Sequence, residues 1–223
     1  MGAFFITATG TDIGKTYLAC GLIRHLRGRG NAVDALKPVI TGFEPERAET
    51  SDAGRLLAAL GRPVNAEEIA RISPWRFSAP LAPNLAARRE GRTLDFDALV
   101  EHSRKAVRGH AGTLLIEGIG GIMVPLDERH TVLDWMAALR LPLVVVAGSY
   151  LGSISHMLTC LDVLQRRALS VRALVVNESS DATVTVAETV ASLSAFAGAT
   201  PICALRRDPD VDTDIAKIVD ILQ

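Results

Sequence analysis

Six short apolar runs are spread along the 223-residue chain with helix-patterned stretches between most of them, and this alternation limits the folds open to it. The runs are Ala3–Thr7, Ala32–Leu36, Thr113–Ile116, Leu143–Ala147, Ala173–Val176 and Ile202–Leu205. Most read as near-continuous apolar segments, the pattern of strands covered on both faces. Between them, Lys15–Arg27 places Leu18, Leu22, Ile23 and Leu26 on one helical face. Phe96–Val107, Val132–Leu139, Ile154–Arg167, Ala182–Phe196 and Asp212–Leu222 are predicted helices on the same logic. Strands alternating with helices predict an α/β chain: a mostly parallel central sheet flanked by helices, three layers in one domain. Ligands of such sheets sit at the carboxyl ends of the strands, so the residues following each run are where chemistry is expected.

One stretch breaks the rhythm. Pro38 to Gly112 is far longer than a single crossover helix needs and carries Pro45, Pro63, Pro74, Pro80 and Pro83. Asp52–Leu60 and Pro83–Arg89 are its clearest helices. The stretch reads as an insertion over the sheet edge that contacts substrate, not as a second domain. Composition narrows the partners. With 24 basic and 25 acidic residues the net charge is -1, without the basic excess of a dedicated nucleic-acid binder. No uninterrupted apolar run is longer than Leu143–Ala147, far below the ~20 residues of a membrane span. The first residues, Met-Gly-Ala-Phe-Phe-Ile-Thr, show no secretory signal, and Ile6 stands where myristoylation needs Ser or Thr. Cys20, Cys160 and Cys203 are too scattered for a disulfide framework or a metal site. A cytoplasmic protein without nucleic-acid or membrane partners is expected.

The first run leads into Ala8-Thr9-Gly10-Thr11-Asp12-Ile13-Gly14-Lys15-Thr16 and then a helix. Gly14-Lys15-Thr16 fits the end of a P-loop, although Thr9 replaces its usual first glycine. Loop N–H groups and a helix N-terminus aimed at one point favour an anion. Lys15 would reach the β- and γ-phosphates, and the Thr16 hydroxyl would join a magnesium ion. Asp12 reads equally as a polar loop residue or as a contact near the phosphates. Thr113–Ile116 ends in Glu117-Gly118, followed by Ile119-Gly120-Gly121. Glu117 is either a capping acid at a strand end or a carboxylate that helps hold the metal. Asp52, after Ser51, reads as a helix N-cap or first-turn acid. Lys37 is one of only four lysines, beside 20 arginines. With Pro38 stopping the strand after it, Lys37 is either a solvated strand-end residue or a second cation facing a transferring phosphoryl group.

The ordered set of segments resembles the dethiobiotin synthetase family over nearly the whole chain. The set is Thr11 to Thr16, Lys37-Pro38-Val39 with Thr41-Gly42, Ser51-Asp52-Ala53, Ala82-Pro83-Asn84-Leu85-Ala86-Ala87, Glu117 to Gly121, Gly148-Ser149-Tyr150-Leu151-Gly152 and Val176-Asn177. The resemblance implies an ATP-dependent ring closure of 7,8-diaminononanoate with CO2, through a carbamate and a carbamic-phosphoric anhydride. It makes Lys15, Lys37 and Thr11 catalytic. It gives Asp12, Ile13, Gly14, Lys15, Thr16, Tyr17 and Asn177 to the nucleotide, with Asn177 on the base. It gives Lys37, Thr41, Gly118, Leu151, Gly152, Ser153 and Ser155 to the substrate, and Thr16, Asp52 and Glu117 to Mg²⁺. It also implies a homodimer, with the substrate carboxylate held at the helix start near Gly148–His156 across the interface. The family often has Gly at the position of Ala8, Asp at that of Gly10, Asn at that of Ser155, and an early Pro in the segment Ala204–Pro209. The other histidines, His25, His102, His110 and His130, are scattered and read as surface or capping groups. The competing reading is a partition-type P-loop ATPase working as a nucleotide-driven dimer switch. Such proteins usually carry a second lysine five residues before the loop lysine, where this chain has Gly10.

Overall fold

The computed structural model describes residues 2–180, 182–207 and 211–223. The strands are β1 (Ala3–Ala8), β2 (Val33–Leu36), β3 (Val39–Thr41), β4 (Trp75–Phe77), β5 (Thr113–Glu117), β6 (Leu143–Gly148), β7 (Val171–Asn177) and β8 (Ile202–Leu205). Six of them form one sheet in the order β2-β5-β1-β6-β7-β8, with every pairing parallel. All residues of β1, β5 and β6 are buried, as their apolar runs require. The chain leaves β1 for the edge at β2, returns through β5, and passes to the other side of β1 at β6. The order therefore reverses around β1, which places the ligand crevice beyond its carboxyl end.

The helices are α1 (Lys15–Gly28), α2 (Asp52–Leu60), α3 (Ala66–Ile72), α4 (Pro83–Arg89), α5 (Phe96–Gly109), α6 (Val132–Leu139), α7 (Ser153–Arg166), α8 (Val186–Ser194) and α9 (Val211–Leu222). α1 buries the predicted stripe of Leu18, Leu22, Ile23 and Leu26 and packs against α2 and α9. Across the sheet, Trp135 of α6 meets Phe5 of β1 edge to face, with ring centroids 4.8 Å apart.

The predicted helix Ala182–Phe196 is shorter in the structure. Thr185 is its cap: the Thr185 hydroxyl accepts from the Glu188 N–H, and the Glu188 carboxylate accepts from the Thr185 N–H. That capping box starts α8 at Val186. The 38–112 stretch also holds more than its three predicted helices, Asp52–Leu60, Pro83–Arg89 and Phe96–Val107. β3 and β4 pair in parallel as a second, two-stranded sheet, and α3 lies between α2 and β4. Three-residue strands are too short to show a period in the sequence. Met1, Asp181, Asp208, Pro209 and Asp210 lie outside the described residues, so the Met-Gly start and the end of Ala204–Pro209 are not placed. No helix among the described residues is long and apolar enough to cross a membrane.

Asp214 ties the exit of β8 to α9. Its carboxylate is almost fully buried and accepts from the Arg206 backbone N–H, Nε and Nη2 at 3.0, 2.9 and 2.7 Å. The Arg206 side-chain bond is the main reason its pKa is held below the usual carboxylate value. A depressed carboxylate stabilises the fold above its unfolded pKa, about 3.9, and this contribution is lost as pH falls through the folded value. Asp214→Asn is expected to weaken the fold by about 1.5–3 kcal/mol at neutral pH, the range for charged hydrogen bonds. Urea titrations should show the gap from the parent chain closing as pH falls below about 4.

Candidate active site

The loop after β1 leads through Gly14 into α1. Gly14 caps α1 with no side-chain hydrogen bond, so the first-turn N–H groups are left for a ligand. Gly14 sits at φ 106, and a Cβ there would lie 2.3 Å from the Asn177 Nδ2. That nitrogen donates to the Ile13 carbonyl at 2.9 Å, bracing the loop from the end of β7. Asp12, exposed, also takes the left-handed region at φ 56. Lys15 folds back over the loop and is almost fully buried, donating to the carbonyls of Gly10 at 3.2 Å and Gly120 at 3.0 Å. Burial pushes its pKa down to about 8, and the nearby Lys37 charge adds to this.

Lys37 stands at the end of β2 and is 2% exposed. This settles one open reading: it is not a solvated strand-end lysine. Its ammonium donates to Glu117 Oε1 at 2.6 Å and the Gly118 carbonyl at 2.7 Å, and lies 3.2 Å from Asp52 Oδ2. Burial works against its charge, but the Glu117 and Asp52 carboxylates outweigh it and hold the pKa above the usual value. Burial likewise opposes the Asp52 charge. The Lys37 charge, with Lys15 adding to it, outweighs that and holds Asp52 below the usual range. Asp52 is the first residue of α2; the cap is Ser51, whose side chain accepts from the Gly54 N–H. The local sequence pattern thus places Asp52 at the helix mouth, where its carboxylate faces Lys37 instead of capping.

Thr16 Oγ1 donates to Glu117 Oε1 at 2.8 Å, joining α1 to the end of β5. Glu117 is 1% exposed, and its other oxygen, Oε2, is buried with no hydrogen-bond partner. A buried carboxylate oxygen without a donor is costly unless a cation completes it. Among the described residues no group of three or more His, Cys, Asp or Glu is placed to hold a metal ion by itself. Two carboxylates and a hydroxyl are the set that suits Mg²⁺, which takes its remaining ligands from water and phosphate oxygens. Thr16, Asp52 and Glu117 therefore fit such an ion.

These groups face a cavity of about 370 Å³ that is also lined by Thr11, Asp12, Tyr17 and Thr41. Arg55 lines it too and was missed in the sequence. The available signal was its position three residues after Asp52, on the same side of α2. A neighbouring cavity of about 480 Å³ shares Thr11 and runs between Met123, Val124, His156 and Thr159. Leu151, Gly152, Ser153 and Ser155 line neither cavity. They form the start of α7, where Gly152 caps the helix at φ 96 without a side-chain bond. Leu151 is 85% exposed, and the His156 Nδ1 pairs with the Tyr150 hydroxyl at 2.8 Å. Two buried ammonium groups and helix-start N–H groups can position a polyanion, and the two carboxylates can hold a cation beside it.

A parallel α/β sheet with this loop between β1 and α1 defines a P-loop nucleotide-binding protein, and residues 2–214 match the family described as an AAA domain. An ATP-dependent dethiobiotin synthetase BioD of Acidiphilium cryptum (strain JF-5) is 50% identical over 202 residues, 90% of this chain and 91% of that one. Another, of Phenylobacterium zucineum (strain HLK1), is 49% identical over 210 residues, 93% of this chain and 90% of that one. The chain belongs to the dethiobiotin synthetase family. Among solved structures, a Cyanothece McdA–ATP complex aligns with TM-score 0.60 at 11% identity, covering 100% of this chain and 96% of that one. The MinC:MinD cell division complex of Aquifex aeolicus aligns with TM-score 0.57 at 12% identity, covering 97% and 86%. At those identities the likeness is one of fold alone.

Proposed function

We propose that this chain closes 7,8-diaminononanoate and CO2 into dethiobiotin at the expense of ATP. The observation that carries the reading is Lys37. It is buried among acids at the strand end next to the phosphate loop, in a chain about half identical to named dethiobiotin synthetases over most of its length. One substrate amine adds to CO2 and loses a proton, giving a carbamate. A carbamate oxygen attacks the γ-phosphorus, and ADP leaves. The second amine then attacks the carbamoyl carbon, expelling phosphate and giving up a proton as the cyclic urea closes.

In this scheme Lys15 neutralises charge on the β- and γ-phosphates, and Lys37 steadies the carbamate and the transferring phosphoryl group. Thr11 and Thr41 orient the nitrogen end of the substrate, and the Gly118 backbone holds Lys37 in place. The N–H groups of Ile13 to Tyr17 receive the phosphates at the mouth of α1. Asp12 borders the nucleotide. Asn177 faces the base while bracing Ile13. Thr16, Asp52 and Glu117 hold Mg²⁺, which when bound supplies positive charge to phosphate oxygens. The 38–112 segment brings Thr41 and Asp52 over the sheet edge to the substrate. The start of α7, where Leu151, Gly152 and Ser155 are exposed and Ser153 is buried, receives the substrate carboxylate in a homodimer, where helix-start N–H groups suit an anion. The enzyme works in the cytoplasm.

The test is direct. Purified protein given 7,8-diaminononanoate, bicarbonate and MgATP should release dethiobiotin, ADP and phosphate in equal amounts, read by mass spectrometry and phosphate release. ATP hydrolysis with no cyclic urea would sink the assignment.

A further inference from the structure

One cavity does not belong to the site above. It measures about 600 Å³, within the range of small-molecule pockets, and shares no lining residue with the cavity around Lys15 and Lys37. Its apolar wall includes Phe43 and Ala48 from the stretch between β3 and α2, Val64 before α3, Ile69 of α3 and Phe77 of β4. One cation also lines it: Arg76, the middle residue of β4, in register with Ile40.

The charges around this cavity do not balance. Glu90 is already engaged: its Oε1 accepts from the Ser78 N–H at 2.7 Å and the Ser78 hydroxyl at 2.9 Å, and its Oε2 pairs with Arg92 at 2.9 Å. Arg92 lies over the Phe77 ring, 4.7 Å from its centroid, and donates to the Arg76 carbonyl. Arg76 lies 5.7 Å from the Phe43 centroid and donates to the Ser73 carbonyl. It has no carboxylate within ion-pair distance among the described residues. Burial and the Arg92 charge both work against its protonated form, so an incoming anion would relieve an existing strain.

A mostly apolar chamber, whose wall also carries Asn65, Ser78, the already paired Glu90 and one guanidinium without a carboxylate partner, is matched by a ligand with an apolar body and a single anionic end. We propose that this cavity is a second ligand site, for a small monocarboxylate with an alkyl body whose carboxylate pairs with Arg76. The wall is continuous with the catalytic strand end. Ser73 Oγ, beside the cavity, donates to the Lys37 carbonyl at 2.6 Å, and the Lys37 N–H donates to the Ile72 carbonyl at 3.1 Å.

Calorimetric titration of the full chain with sodium octanoate tests this. Saturable binding at one site per chain is expected, unchanged in Lys15→Met and weakened at least tenfold in Arg76→Gln. 1-Octanol, with the same body and no charge, should bind at least tenfold more weakly than octanoate. Ile69→Trp, which fills the chamber and leaves Arg76 intact, should also abolish binding, and thermal melting shows whether each variant folds. Equal affinity in Arg76→Gln, equal affinity for 1-octanol, loss of binding in Lys15→Met, or no saturable binding would overturn the proposal.

Discussion

Lys37→Gln should lower dethiobiotin formation by about 10²–10³-fold, the usual cost of losing one preorganised charge-stabilising group, while MgATP still binds. In the proposed scheme the nucleotide is gripped mainly by the loop from Thr9 to Thr16, whereas the polar contacts of the Lys37 ammonium are Glu117, Asp52 and the Gly118 carbonyl. A glutamine amide replaces one donor but no charge. The same substitution strands Glu117, a fully buried acid, and breaking such a pair costs up to about 3–5 kcal/mol. Asp52, with its side chain 40% exposed, adds less because solvent screens it. The variant is therefore expected to melt earlier as well as turn over slowly, and the two effects are separable. Lys37→Gln combined with Glu117→Gln removes the stranded charge and should recover most of the lost melting temperature without recovering turnover. Near-normal product formation in Lys37→Gln would take the residue out of the chemistry.

The sheet was legible because its strands are buried on both faces, so burial alone writes them as apolar runs. Ala3–Ala8, Thr113–Glu117 and Leu143–Gly148 each extend their run by one residue, Val33–Leu36 loses one, Val171–Asn177 extends its run at both ends, and Ile202–Leu205 is unchanged. Where burial is one-sided or brief, the sequence was silent. Val39–Thr41 and Trp75–Phe77 pair only with each other, and three residues carry no period. The start of α8 was placed too early because the apolar spacing runs back past Thr185, while the capping box with Glu188 decides the boundary. The site divides in the same way. Lys15 and Thr16 could be read from the loop pattern, since loop and helix are local. Residue type alone left Lys37, Asp52 and Glu117 open between bland and functional roles, because their meeting depends on three separate elements, β2, α2 and β5. Arg55 offered only its spacing from Asp52, and the cavity beside Arg76 gathers residues from several separate stretches between 43 and 90.

Gly14→Ala is expected to cut nucleotide affinity by about 5- to 150-fold, the equivalent of 1–3 kcal/mol. Two separate penalties converge on this position. At φ 106 any L side chain is strained, at about 1–3 kcal/mol for a residue outside its usual regions. The added Cβ would also stand 2.3 Å from the Asn177 amide nitrogen, far inside contact distance. Asn177 must then swing away, and the Ile13 carbonyl loses the donor that fixes the loop. A double-mutant cycle separates the two. Asn177→Ala alone removes one hydrogen bond, about 0.5–1.5 kcal/mol, and makes room for the methyl group. Adding Gly14→Ala to Asn177→Ala should then cost only the backbone strain, so the pair falls short of the sum of the singles by at least about 0.5 kcal/mol. Calorimetric titration with MgADP on all four proteins reads this coupling without relying on turnover. Strict additivity would show that Asn177 does not brace the loop, and that the glycine is required by its backbone conformation alone.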